Sequence, residues 1–187
     1  MTHRISMIAK GSVSGGKRLK KPISNDDAED AFSGFPVVLG TVSAGRDNII
    51  TLAMCHVFSF DPPYIGVGIA PRRFSHHLFK ASRDFAVNIP SKKILKAVKI
   101  CGSRSGRKTD KFAASGLTKE RAKKISAPLI AECPVNIECV KVKEVKAGDH
   151  TWFIGKIVAA RSETTYDKNK DMLLYWGEYR TIGKLVK

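Results

Sequence analysis

The chain has 187 residues, 43% of them hydrophobic and 27% charged, and 33 Lys and Arg against 17 Asp and Glu give a formal net charge of +16. That length suits one domain, or one domain with extensions, and the apolar content suffices for a core. No apolar run approaches the roughly 18 residues of a membrane helix, which excludes a helical span, and the N-terminus lacks the apolar stretch of a secretory leader. A protein of the cytoplasm is the expectation.

The charge is uneven. Residues 1–21 carry six cations and no acid, and residues 92–124 carry twelve cations against Asp110 and Glu120. Concentrations of this kind suit a nucleic acid, an anionic partner, a phosphorylated cofactor or simply a solvated surface. Aromatic residues are sparse in both stretches, which argues against a stacking platform for single-stranded nucleic acid. The four cysteines, Cys55, Cys101, Cys133 and Cys139, form no CxxC pair and no cluster with metal-ligand spacing. Free thiols are expected, and no metal site.

Residues 1–34 read as a basic tail that ends in the acidic stretch Asn25–Asp30, and residues 35–187 read as the folded domain. The run Val37–Val42 has strand character, Ala44–Asn48 has turn chemistry, and Ile49–Ala53 resumes a strand, which together predict a hairpin. Asp61-Pro62-Pro63 is a break, and Tyr64–Ala70 is a strand closed by Pro71. Ser75 is placed to cap a helix over 76–82, with Leu78 and Phe79 turned inward. Phe85–Ile89 is a further strand. Helices are predicted at 92–99, 109–115 and 118–123. Asn136–Val145 and Thr151–Ala160 flank a loop at 146–150 as a second hairpin, and Leu173–Tyr175 and Tyr179–Ile182 close the chain. Many short strands with few helices predict a mainly β barrel with helical decorations. A GxGxxG fingerprint and a Walker A loop are both absent, so neither a Rossmann nor a P-loop reading has support.

Three segments carry chemistry. In Arg72-Arg73-Phe74-Ser75 a strand ends and a helix begins, so free backbone N–H groups, two guanidinium forks and a hydroxyl meet. That combination suits a phosphomonoester, and equally a capped helix beside two surface arginines. The stretch Asn48–His56, with Thr51, Leu52, Ala53, Met54 and Cys55, is apolar with small polar groups. It can offer backbone N–H and C=O groups to a flat heterocycle or serve as an ordinary core strand. The loop from Cys101 to Phe112, with Ser105 and Lys111, holds two glycines and four cations and suits either an anion or a basic linker. His56, His76, His77 and His150 have no paired carboxylate or nucleophile nearby and read as structural or exposed, so no catalytic residue is assigned. Cys101 is either a reactive thiol beside a basic loop or a buried inert one.

Taken together, these segments resemble the flavin reductase-like, FMN-binding split-barrel family, which includes flavoredoxins and archaeal ferric reductases. The resemblance covers roughly residues 35–183. It is carried by Asn48–Ala53, Ser59-Phe-Asp-Pro-Pro63, Arg72-Arg-Phe-Ser75, Phe85–Asn88, Cys101–Arg107, Asp110-Lys-Phe112, Gly148-Asp-His-Thr151 and Gly177-Glu-Tyr179 in their shared order. It implies a six-stranded Greek-key split barrel, non-covalent FMN and a homodimer with the flavin near the interface. It implies that the backbone of Thr41–Val42 and Thr51–Cys55 borders the isoalloxazine and that Arg73 and Ser75, with Arg72, hold the phosphate. The loop Ser105–Lys111 is expected near the flavin, with Lys111 as the cation that stabilises its reduced form. His150 and Tyr179 fall in family-typical positions without an assigned role. Met54 stands where the family often has a bulky aromatic, and the basic tail is outside the pattern.

The implied activity is transfer of electrons from NAD(P)H or a redox protein to flavin, ferric iron or another acceptor. The alternatives are a non-enzymatic electron carrier and, more distantly, a basic nucleic-acid-binding module. The sequence carries no nicotinamide motif, so NAD(P)H use follows from the resemblance alone.

Overall fold

A computed structural model describes residues 21–32 and 34–182. Most of the basic tail therefore lies outside the described residues. The acidic stretch forms a short exposed helix, α1 (Asn25–Asp30). Ser24 caps it: its hydroxyl accepts from the Asp27 amide at 3.1 Å, and the Asp27 carboxylate accepts from the Ser24 amide. This reciprocal pair satisfies amides that the first turn leaves without acceptors. The Trp176 indole N–H donates to Asp30 at 3.1 Å and ties the helix to the C-terminal hairpin.

Among the described residues, twelve strands and four further α-helices follow. The strands are β1 (Phe35–Pro36), β2 (Val38–Ser43), β3 (Asp47–Leu52), β4 (Cys55–Phe60), β5 (Pro63–Ile69), β6 (Asp84–Ile89), β7 (Lys119–Glu120), β8 (Leu129–Ile130), β9 (Val135–Ala147), β10 (His150–Ser162), β11 (Leu173–Trp176) and β12 (Glu178–Thr181). The helices are α2 (Phe74–Ala81), α3 (Leu95–Ser103), α4 (Lys111–Ser115) and α5 (Lys168–Asp171). Seven strands make one antiparallel sheet in the order β3-β2-β6-β9-β10-β5-β4. The resemblance implies six. The difference arises at Ala53–Met54, where the expected single run over 48–56 breaks and Cys55–Phe60 becomes a strand of its own.

That break shapes the site. β3 and β4 are consecutive in the chain yet form opposite edges of the sheet, so the sheet must curl for two residues to join them. Met54 accepts a hydrogen bond from the Gly68 amide at 2.8 Å where the chain crosses. Side chains from β2, β3, β5, β6 and β10, including Val42, Leu52, Val67, Phe85 and Phe153, meet in one core inside the curl, and Leu78 and Phe79 of α2 plug it. A second core lies on the other face. There Leu39 and Ile49 pack against Ala97, Val98 and Cys101 of α3 and against Phe112 and Ile130. Strand β2 is thus covered on both sides, so the successive residues Val38–Val42 are all buried.

Two local expectations are corrected. Helix α2 begins at Phe74 with Arg73 at its N-cap, so Ser75 sits inside the first turn and does not cap. No helix forms over 118–123. The amides of Lys123 and Lys124 donate to the buried carboxylate of Glu138, and those of Ser126 and Ala127 donate to Asp84. A carboxylate withdrawn from water needs such donors, and its demand outweighs the weak helical preference of this segment. The hairpin β9–β10 turns on Gly148 and Asp149 alone, tighter than the loop expected at 146–150. Among the described residues, no helix is long and apolar enough to cross a membrane.

Candidate functional site

Because β3 is an edge strand, half of its backbone groups have no strand partner. Two clefts open on its C-terminal end and share Thr51 and Ala53 as a common wall. The smaller, about 140 Å³, lies between Thr51–Met54, the end of β5, Arg72, Arg73 and His150. The larger, about 710 Å³, lies toward α3 and the β11–β12 hairpin.

The turn from β5 into α2 is closed by the Arg73 amide donating to Ala70 at 2.9 Å. It presents Arg72 and Arg73 to solvent. Arg73 gives no side-chain cap; its carbonyl accepts from the His76 amide at 3.0 Å, which leaves the Phe74 and Ser75 amides of the first turn for another acceptor. Ser75 is only 2% exposed and its hydroxyl accepts from the Asn48 side-chain amide at 2.7 Å. The hydroxyl keeps its own proton to donate. Gly106 closes over this pair. A Cβ there would stand 2.2 Å from Asn48 Oδ1 and 3.0 Å from the Phe74 ring, so only glycine allows the loop this approach. The sequence grouped these segments without showing that Asn48, Ser75 and the 105–111 loop are in contact.

His150 Nδ1 lies 2.6 Å from Asp149 Oδ1, and Arg72 lies 3.9 Å from the same carboxylate. The His150 hydrogen bond, with Arg72 adding less, holds Asp149 below the usual carboxylate range. His76 Nε2 lies 3.0 Å from the Thr151 hydroxyl, and burial first, then the Lys80 charge, lowers its pKa. Among the described residues, no group of His, Cys, Asp and Glu is arranged to hold a metal ion.

The remaining expected residues divide. Thr51 turns its hydroxyl to the Val98 carbonyl at 2.6 Å, Leu52 enters the core, and Ala53 and Met54 stay accessible at the break. Cys55 packs against the core, and burial pushes its thiol up to about 12. Thr41 and Val42 lie one strand in from the edge. Both are fully buried, Thr41 donates to the Pro128 carbonyl at 2.5 Å, and neither lines a cleft. Ser105 is exposed and accepts from the Arg107 amide at 3.3 Å.

Lys111 is buried, donates to the Cys101 carbonyl at 2.8 Å and lines none of the clefts. Burial brings its pKa down to about 8; Cys101 opposes the shift and Arg73 reinforces it. Cys101 is itself fully buried and its thiol is raised by that burial, as for a packed, unreactive cysteine. A third cleft, about 360 Å³, is flanked by Arg46, Arg107, Lys108 and Lys119 beside Asn48. The guanidinium groups of Arg46 and Arg107 stand 4.5 and 5.9 Å from the centre of the Phe74 ring.

Sequence reasoning missed Lys99 and Tyr175, which line the cleft of about 710 Å³, and gave Tyr179 no role. Their signal was the hairpin Tyr175-Trp-Gly-Glu-Tyr179. Gly177, with φ +71°, makes a turn tight enough to bring the two tyrosine rings to 4.8 Å.

Known proteins share this fold. Residues 30–183 match the flavin reductase like domain family. A protein of Archaeoglobus fulgidus is 36% identical over 130 residues, covering 70% of this chain and 73% of its own. The NADH:riboflavin 5'-phosphate oxidoreductase of Streptomyces pristinaespiralis is 29% identical over 143 residues, covering 75% of this chain and 77% of its own. Among solved structures, the flavoredoxin of Methanosarcina acetivorans superimposes with a TM-score of 0.81 at 28% identity, over 91% of this chain and 95% of its own. With its antiparallel sheet, its short helices and a family match over most of its length, the chain belongs to the flavin reductase-like family of flavoproteins.

Proposed function

We propose that this protein binds FMN non-covalently at the junction of β3, β5 and α2 and works as a flavin-dependent oxidoreductase. One observation carries the proposal. An edge strand with unpaired backbone groups ends beside a helix N-terminus that presents Arg72 and Arg73, with the Ser75 hydroxyl buried in its first turn behind them. The two halves match the two ends of FMN: a flat ring with polar edges and a dianionic phosphate.

In this reading the backbone at Thr51–Met54 meets the ring, while Arg73, Ser75 and the first-turn amides of α2 hold the phosphate, with Arg72 beside them. Asn48 orients the Ser75 hydroxyl. Thr41 and Val42 support β3 from behind. The loop at Ser105–Lys111 closes over Asn48 through Gly106, and the Lys111 cation sets the local potential from its buried position. The flavin supplies the hydride and electron chemistry, and the protein supplies binding, orientation and electrostatics.

A homodimer also fits the surface. On the edge strand β4, Val57 and Phe58 are exposed and Phe60 is 90% exposed, an apolar edge that a second copy would cover. The electron donor is NAD(P)H or a redox protein, and two relatives bear on the choice: one is named an NADH:riboflavin 5'-phosphate oxidoreductase and another a flavoredoxin. An anaerobic absorption spectrum separates the readings. Flavin bands that bleach on adding NADH or NADPH alone support an enzyme. Bands that bleach only with a reduced protein partner support a carrier. A protein without flavin bands that takes up no FMN overturns both.

A further inference from the structure

We propose that the larger of the two clefts at the end of β3, between β3, α3 and the β11–β12 hairpin, binds a planar aromatic anion. Resting on the flavin reading for its role, this names the chemical class of the second reactant.

The cleft's volume, about 710 Å³, falls within the range of ligand pockets, roughly 300–1,000 Å³. It shares Thr51 and Ala53 with the smaller cleft, so a molecule held here would lie across one strand wall from the flavin. Its lining is of two kinds. Val37 and Leu95 are apolar, and the half-buried rings of Tyr175 and Tyr179, 4.8 Å apart and inclined at 52°, offer aromatic walls for a flat ring. Lys99 adds a cation whose Nζ lies 5.7 Å from the centre of the Tyr179 ring.

The charge balance decides which flat molecule is favoured. Lys99 has no ion-pair partner among the described residues. The one acid of the lining, Glu178, lies 3.8 Å from Arg180 and has its charge answered there. An aromatic surface beside an unanswered ammonium favours an anionic ring over a neutral or cationic one. Ser103 adds a hydroxyl to the same wall.

The test is calorimetric titration of the full chain with 2-naphthoate and with its uncharged counterpart 2-naphthamide, with flavin absorbance recorded on the same sample. Naphthoate is expected to bind about tenfold more tightly than the amide, the scale of one charge-assisted contact. Lys99→Gln, on an exposed position, should level the two ligands and leave FMN affinity unchanged. Tyr179→Ala should weaken both ligands. Equal binding of the two by the unaltered protein, no binding of either, or a preference that survives Lys99→Gln would overturn the proposal. Loss of FMN affinity in Lys99→Gln would also overturn it, because the cleft would then belong to the flavin. A protein that takes up no FMN yet still prefers naphthoate would undo the flavin reading and leave the anion site standing.

Discussion

The side-chain amide of Asn48 donates to the hydroxyl of Ser75 across 2.7 Å, with both residues buried. This bond joins the edge strand β3 to the first turn of α2, the two elements that frame the proposed flavin site. Asn48→Ala leaves the Ser75 hydroxyl without its donor and removes the wall against which Gly106 packs. Loss of a buried hydrogen bond costs about 1–3 kcal/mol. The denaturant midpoint should fall accordingly, and FMN affinity should fall with it. An unchanged midpoint would remove this bond from the framework.

Gly106→Ala probes the same joint from the other side. The added methyl would stand 2.2 Å from Asn48 Oδ1, so the loop or the strand must move. Overpacking of this kind costs about 1–3 kcal/mol. Thermal unfolding should report a lower midpoint for Gly106→Ala than for an alanine placed at the neighbouring exposed Ser105.

Arg73→Ala should weaken FMN binding by about 1.5–3 kcal/mol, the cost of a lost charge-assisted hydrogen bond. Riboflavin, which lacks the phosphate, should bind the variant and the unaltered protein alike. Arg72→Ala should cost less, because Arg72 is also drawn toward Asp149 at the exposed rim. Fluorescence titrations with the two flavins check both statements, and an equal loss for riboflavin would place Arg73 elsewhere.

Lys111 gives a pH dependence of defined sign. Its folded pKa, about 8, lies below its ordinary value of 10.5, so the native state binds fewer protons than the unfolded state in between. The contribution of Lys111 to stability therefore rises with pH from about 8 to about 10.5, by at most about 1.4 kcal/mol per unit, while the raised thiols of Cys55 and Cys101 act in the opposite sense at the upper end of that range. Lys111→Met should remove that rise and stabilise the protein below pH 8. Denaturation series at several pH values measure this, and an identical slope in the variant would contradict it.

Much of the fold was legible in the sequence because its strands obey local rules. The hairpin of β2 and β3 sits on the turn Ala44–Arg46, within the expected 44–48, and the strand pair β9–β10 sits on Gly148. What escaped was set by distant partners. The absent helix at 118–123 depends on Glu138 and Asp84, which collect the loop's amides from other strands. The break at Ala53–Met54 depends on Gly68 across the curl. Of the site, Arg72, Arg73 and Ser75 were readable as a strand-to-helix junction. The contact of Asn48 with Ser75, and the approach of Lys99 to the Tyr179 ring from about 80 residues away, are tertiary facts with no local trace.

The most direct measurement is an equilibrium titration of the flavin-free protein with FMN, followed by flavin fluorescence. The account predicts saturation at one FMN per chain and markedly weaker binding in Arg73→Ala. No saturable binding, or equal binding in the variant, would contradict it.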